Sequence, residues 1–283
     1  MNKLNQILIL LPTVIILSSC AASAPSNQAQ DNNTQAQTTT VAQAAPLNYD
    51  DYAEVLETYV TEDGLVDYQK LQENRQQLDD FNATFEKVTP AEYESWSEEE
   101  QIAFLINAYN SFTLQSIIDQ DPLKKSIRDI PGVWKGRKFA IAGQSKTLDN
   151  IEHKTLRVDF NEPRIHVALV CAAISCPQLR NEPYTGEQLD AQLDDQTRKF
   201  LESTHGLRID REDNVVYISS IFKWFGQDWK PTYGVEDKFA GNDNERAVLN
   251  YISNYQSSED KEYLEQGDYK VRYLDYDWSL NKQ

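Results

Sequence analysis

The sequence predicts an α+β fold, a mainly helical single domain with a small antiparallel sheet. Three observations predict it. Apolar residues recur at helical spacing through most of residues 47 to 283, one clear hairpin pattern stands late in that span, and no repeat or internal linker divides it. A span of that length is ample for one hydrophobic core.

In chain order, residues 49 to 60 read as a helix carrying Tyr52, Val55, Leu56 and Tyr59 on one face, and residues 68 to 88 as another carrying Leu71, Leu78, Phe81 and Phe85. Asp63-Gly64 marks the turn between them. Thr89-Pro90-Ala91-Glu92 opens the next helix, with a cap residue followed by proline where no amide hydrogen is needed. Ser97 and Glu100 frame a capping box ahead of the run from Gln101 to Ile118. That run is apolar almost all round, which predicts the central buried helix. Asn107 and Asn110 interrupt it and share a face, and a buried amide without partners costs about 1 to 3 kcal/mol, so something polar must meet them. They are either structural amides that tie down loop backbone or one wall of a site.

Phe139-Ala140-Ile141, set among Gly132, Gly136 and Gly143, predicts a short hairpin. Asp149, with Glu152 at its third position, predicts a capped helix ending near Arg157, on which His153 and Arg157 stand on one face. The run Arg164 to Ala173 is too short and uniform for periodicity to decide, and its alanines favour a buried helix. Residues 189 to 201 form an amphipathic helix. Residues 207 to 210 and 215 to 218, around Asp213-Asn214, form the clearest hairpin. A helix from Ala247 to Tyr255 and an alternating strand from Tyr269 to Trp278 close the chain.

The N-terminal residues carry a different message. Lys3 precedes an apolar run, Ile7 to Leu17, that suits a secretory segment and falls short of the roughly 20 residues needed to span a bilayer. It ends in Leu17-Ser18-Ser19-Cys20, which resembles the lipobox of bacterial lipoproteins, where the cysteine is joined to diacylglycerol before cleavage. The expectation is a signal peptide at 1–19, lipidation at Cys20, a flexible tether at 20–46 and a globular domain at 47–283. The tether has no aromatic residue and almost no charge, so it cannot bury enough apolar surface to order itself. Acyl chains on Cys20 would hold the protein at the periplasmic face of the cell envelope, with membrane lipid as a partner. Ala21-Ala22 lacks the aspartate that favours inner-membrane retention in enterobacteria-like systems.

The formal net charge is -18, and loss of Lys3 with the signal peptide makes the mature chain more acidic still. Nucleic acid is excluded as a partner on this ground, because phosphate contacts need clustered Lys and Arg. Once Cys20 is lipidated, only Cys171 and Cys176 remain, in a compartment where paired cysteines often oxidise. The histidines are His153, His166 and His205. No phosphate loop, no nucleophile elbow and no dinucleotide fingerprint is present, and no cofactor is expected. His153, His166, Cys171, Cys176 and Glu152 are suitable metal ligands by type, but none has the tight spacing of a zinc motif, and no metal is assigned.

The segments FLINAYNSFTL (104 to 114), LDNIEHKTLR (148 to 157) and RIHVALVCAAISCPQLR (164 to 180) together resemble the DUF547 family, a domain of unknown function found in bacterial lipoproteins and plant proteins. The resemblance covers residues 60 to 205 at its core. It implies a distant relation to papain-like or transglutaminase-like folds, and so a cysteine and a histidine brought together. The positions such chemistry needs are Cys171, His153, Glu152, Asn107 and Asn110. Histidine precedes cysteine here, the reverse of the papain-like order, so the arrangement would be a permuted one.

A thiolate nucleophile needs a base beside it, and the base needs a third group to orient its ring. Cys171, His153 and one of Glu152, Asn107 or Asn110 could fill these roles. His166 competes as base, but it lies five residues before Cys171, on the other side of a strand or about 140° round a helix. His153 comes from a separate element and is preferred. Cys171 is otherwise a small core residue, or one half of a disulfide with Cys176. Two functions follow from these alternatives. One is a cysteine-dependent hydrolase or acyltransferase acting on amide or ester bonds at the envelope. The other is a non-catalytic module in which Trp224, Phe225, Trp229 and Trp278 line a groove for a peptide or glycan.

Overall fold

The computed structural model describes residues 44–283. The expected signal peptide, Cys20 and the expected tether up to residue 43 lie outside the described residues. Ala44 and Ala45, at the end of that tether, already belong to the folded part: the Ala44 amide donates to Ser95 Oγ at 3.1 Å and Trp96 Nε1 donates to the Ala45 carbonyl at 3.2 Å.

The fold is mainly helical α+β and is organised around the helix Glu98–Ile118, buried from Ile102 to Ile118 at every position but Gln115. Ser97 caps it by accepting from the Glu100 amide at 3.2 Å. The expected capping box does not close. The Glu100 carboxylate instead accepts from the Gly186 amide at 2.9 Å and from Tyr49 Oη at 3.4 Å, so it ties two distant segments to the helix start. Around the helix runs a chain of aromatic contacts, Tyr52 stacked on Phe81 at 4.7 Å, Phe85 edge-on to Phe112 at 5.1 Å, and Phe112 stacked on Phe139 at 4.2 Å. Such pairs contribute beyond the burial of their area.

The helix expected over 68 to 88 is three short ones, Tyr68–Glu73, Gln76–Asn82 and Thr84–Lys87. Side chains that bond backbone carbonyls break it: Asn74 Nδ2 donates to the Lys70 carbonyl at 2.9 Å and Thr84 Oγ1 to that of Phe81 at 2.6 Å. The apolar face continues across the breaks, which is why periodicity alone read one helix. Helix Pro90–Ser95 has its capping box, Thr89 with Glu92, as expected.

Strands β1 (Phe139–Ile141) and β2 (Gln144–Lys146) form the small hairpin. Strands β3 (Leu207–Asp210) and β4 (Val215–Ile218) form the second, antiparallel with Leu207 opposite Ile218, and Asn214 takes the left-handed conformation its turn requires at φ 53°. The closing strand β5 (Lys270–Tyr273) is shorter than expected and pairs parallel to β4, making that sheet mixed. The crossover between β4 and β5 passes through helices Ser220–Phe225, Asp243–Ser253 and Ser258–Gln266, which gives the length a parallel connection needs. These elements enclose a second apolar cluster centred on Phe200, Phe222, Trp229 and Tyr251.

Beyond β5 the chain returns across the first core. Asn281 accepts from Tyr68 Oη at 2.7 Å and donates from Nδ2 to the Gly64 carbonyl at 3.0 Å. Gly64 sits at φ 75°, where a Cβ would come within 2.6 Å of the Leu179 amide nitrogen, so the turn needs glycine. Among the described residues no helix is long and apolar enough to cross a membrane.

Candidate functional site

A pocket of about 120 Å³ opens where the two apolar clusters meet. Its polar wall comes from one wide helical turn. Thr147, not Asp149, caps helix Leu148–Ile151 by accepting from the Asn150 amide at 3.1 Å, and Asn150 returns the bond. The chain then widens into a π-helical turn, Glu152–Leu156. Thr155 Oγ1 donates to the Asn150 carbonyl at 3.1 Å, taking an acceptor the regular ladder would use, while Lys146 Nζ donates to that hydroxyl at 2.8 Å. Single π turns of this kind re-aim side chains and recur at functional sites. Here Glu152 and His153 both reach the pocket.

Burial pushes the Glu152 carboxyl up to about 7, with the Tyr109 phenol and the Arg157 charge holding it from going higher. His153 Nδ1 lies 3.1 Å from Arg157 Nη1, and because a guanidinium can only donate, Nδ1 is the acceptor. Burial and the Arg157 charge hold the His153 imidazole below its ordinary value. Arg157 also grips Asp228 with two bonds, at 2.6 and 3.0 Å. Asp228 Oδ2 accepts in turn from His166 Nε2 at 2.8 Å. Burial alone would raise the Asp228 carboxyl, but the His166 and Arg157 bonds and the Arg157 charge outweigh it and hold it well below the carboxylate range. His166 is fully enclosed, burial keeps it neutral, and it stacks on Phe225 at 4.3 Å.

The opposite wall carries the cysteines. The expected helix over 164 to 173 lasts only from Ile165 to Ala168. Asn110 ends it, for its Nδ2 donates to the Ala168 carbonyl at 3.0 Å and its Oδ1 accepts from the Val170 amide at 2.8 Å, replacing helical bonds with side-chain ones. The chain leaves extended and turns at Ala172, φ 58°. Cys171 and Cys176 are joined in a disulfide, their Cα atoms 6.2 Å apart. In the described form Cys171 is therefore a half-cystine and not a thiol, the outcome that the spacing had left open. Cys176 is 7 % exposed and Cys171 more open. Tyr276 Oη lies 3.2 Å from Cys171 Sγ and 3.1 Å from Cys176 Sγ, and the Cys171 amide donates to Cys176 Sγ at 3.0 Å.

Of the expected site residues, the fold gathers Cys171, His153 and Glu152 on this pocket. Asn107 and Asn110 are not among its lining. Asn107 spends both ends on Tyr184 backbone, at 2.7 and 3.0 Å, as Asn110 does on residues 168 and 170, and both thus act as structural amides. Trp229 packs inside the second core, while Trp224, Phe225 and Trp278 do line the pocket. Tyr276, Tyr109 and Asp228 carried no sequence signal, since their partners come from segments far along the chain. Among the described residues no group of three or more His, Cys, Asp or Glu side chains is gathered to hold a metal ion.

A family model described as a protein of unknown function, DUF547, matches residues 93–201. The resemblance carried by the three motifs thus holds, and the chain carries a DUF547 domain over that span. The match takes in the central helix, the π turn and both disulfide cysteines, whereas Trp224, Asp228, Tyr276 and Trp278 come from beyond it. No curated protein and no solved structure matches the chain.

Proposed function

We propose that the chain is a cell-envelope lipoprotein, held by acyl chains on Cys20 at the periplasmic face, whose domain binds a peptide side chain in the aromatic pocket. The observation that carries the binding reading is the convergence of Trp224, Tyr276 and Trp278 at the pocket. Their ring centroids lie 4.6 to 5.9 Å apart, and Trp224 is 44 % exposed although large and apolar. Exposed aromatic groups of this kind mark binding surfaces. The volume suits one side chain, and the few polar groups at its base would leave most hydroxyls of a sugar unpaired, which favours peptide over glycan. The lipobox and the disulfide both suit an oxidising compartment outside the cytoplasm.

Tryptophan fluorescence tests the pocket. Short peptides bearing an aliphatic, aromatic or thiol side chain should shift the emission saturably, and Trp224→Ala should abolish the shift. A shift produced by oligosaccharides and by no peptide would overturn the reading. For the anchor, fatty-acid labelling of the chain should vanish in Cys20→Ser.

The cysteine-dependent hydrolase or acyltransferase is the second reading, favoured by the presence of Cys171, His153 and Glu152 on one pocket. It requires the disulfide to open. After reduction, iodoacetamide should label Cys171 rapidly below pH 7 and slowly in His153→Ala; labelling of both at the rate of an ordinary thiol would sink it.

A further inference from the structure

We infer that the Cys171–Cys176 disulfide is a reactive group of this pocket, passed by exchange to a dithiol carried by the bound peptide. The inference rests on the peptide-pocket reading and names its substrate class. Exposed disulfides are the labile and catalytic ones, and this one lies in the wall of a pocket that Glu152 and His153 also line, with a phenol against both sulfurs.

The two sulfurs are not equivalent. Cys171 is the more open and meets an entering thiol; Cys176 is buried and receives the hydrogen bonds a leaving thiolate needs, one from the Cys171 amide at 3.0 Å and one from Tyr276 Oη at 3.1 Å. Charge-assisted bonds of this kind lower a thiol's pKa, and the lower the pKa of the leaving sulfur the faster it departs. Glu152, raised by burial to about 7, is half ionised near neutrality and can accept the proton of the entering thiol.

The exchange then balances. The peptide thiol gives its proton to Glu152, its thiolate forms a bond to Cys171 Sγ, and the Cys171–Cys176 bond breaks with its electron pair going to Cys176 Sγ. The second peptide thiol, losing its own proton, attacks the peptide sulfur of the mixed disulfide and releases Cys171. The peptide dithiol is oxidised by two electrons, the protein disulfide is reduced to two thiols, and the two protons shed by the peptide end on Cys171 and Cys176.

The test uses the full chain carrying Cys20→Ser, in which only these two cysteines remain. The oxidised protein is treated with glutathione, quenched with N-ethylmaleimide and mapped by mass spectrometry. Glutathione should appear on Cys171 and the alkyl group on Cys176, faster in the folded chain than in the chain unfolded by guanidinium. Tyr276→Phe should slow the step about tenfold, in line with the loss of one hydrogen bond to a charged atom. Glu152→Gln should slow the step near neutrality and abolish the inflection near pH 7, leaving only the rise that follows the ionisation of glutathione itself, a readout that survives should Tyr276→Phe not fold. Adducts on Cys176, or a folded chain that reacts no faster than the unfolded one, would overturn the inference. Cysteine-free peptides titrated against Cys171→Ser/Cys176→Ser report on the pocket alone. If they bind and glutathione does not add, exchange fails and the pocket reading survives; if glutathione adds and no peptide binds, the pocket reading and the peptide substrate fall together.

Discussion

Asn110 clamps Val170 from within the central helix, accepting its amide at 2.8 Å while donating to the Ala168 carbonyl two residues earlier at 3.0 Å. The backbone that leads into Cys171 is thereby fixed by a side chain from another element. Asn110→Ala should strand a buried donor and a buried acceptor and cost about 2 to 4 kcal/mol in urea unfolding, and Asn110→Asp, which keeps the acceptor but buries a carboxylate against the Ala168 carbonyl, should cost at least as much at neutral pH. A loss below half a kcal/mol for Asn110→Ala would show that the clamp is dispensable.

Asp228 joins Arg157 to His166, and its removal leaves a guanidinium with most of its surface buried and without its hydrogen-bonded carboxylate. Asp228→Ala should destabilise the domain by about 2 to 4 kcal/mol, a breakage cost larger than the pair's own net worth. Thermal melts of Asp228→Ala and Asp228→Asn measure it, with the amide variant expected to keep part of the loss at bay.

His166 sets an acid limit. Its folded value lies below 6.5, so the unfolded chain binds its proton first, and stability falls as pH drops through the ordinary histidine range toward the depressed folded value. Asp228, also held below its ordinary value, keeps its contribution through that window and loses it only at lower pH. Urea midpoints measured from neutral to mildly acidic pH should therefore decline, and the His166 ring signals in NMR should titrate later than those of a free imidazole.

Glu152 acts in the opposite sense. Its value rises from 4.5 to about 7 on folding, so the folded state holds the proton more tightly and stability falls as pH climbs between those values. Glu152→Gln should remove this dependence and stabilise the domain above pH 7 by about 3 kcal/mol, the equivalent of that shift. Parallel pH profiles of the two proteins would expose a carboxyl that titrates normally.

Trp224, exposed at the pocket mouth, should separate binding from folding. Trp224→Ala is expected to leave the melting temperature within a degree or two, since about half a kcal/mol is usual for a surface change, and to remove peptide binding. A large drop in melting temperature would make it a structural residue.

Much of this molecule is written in short-range pattern. The helix from Glu98 to Ile118, the capping of Pro90–Ser95, both hairpins and the helix at 189 follow from apolar spacing, cap residues and turn residues, which act over a few neighbours. The breaks at Asn74 and Thr84 were not legible, because the same side chains sit harmlessly in many helices and only their local bonds reveal the stop. The run before Cys171 misled for a different reason: its alanines favour helix, but Asn110, some sixty residues earlier, outbids the helical ladder. The parallel pairing of β5 depended on how the intervening helices pack.

At the site the division is sharper. The motifs singled out Glu152, His153 and Cys171 because those residue types carry chemistry, and the pocket does hold them. Residue type could not say that Asn107 and Asn110 are consumed by backbone, that Cys171 is paired with Cys176, or that Tyr276 covers both sulfurs. Those facts depend on distances between segments up to 105 residues apart, and such distances exist only once the apolar faces have packed. Side-chain chemistry is local and was readable; partnership is a property of the packed chain, and it turned a row of candidates into a disulfide-walled aromatic pocket.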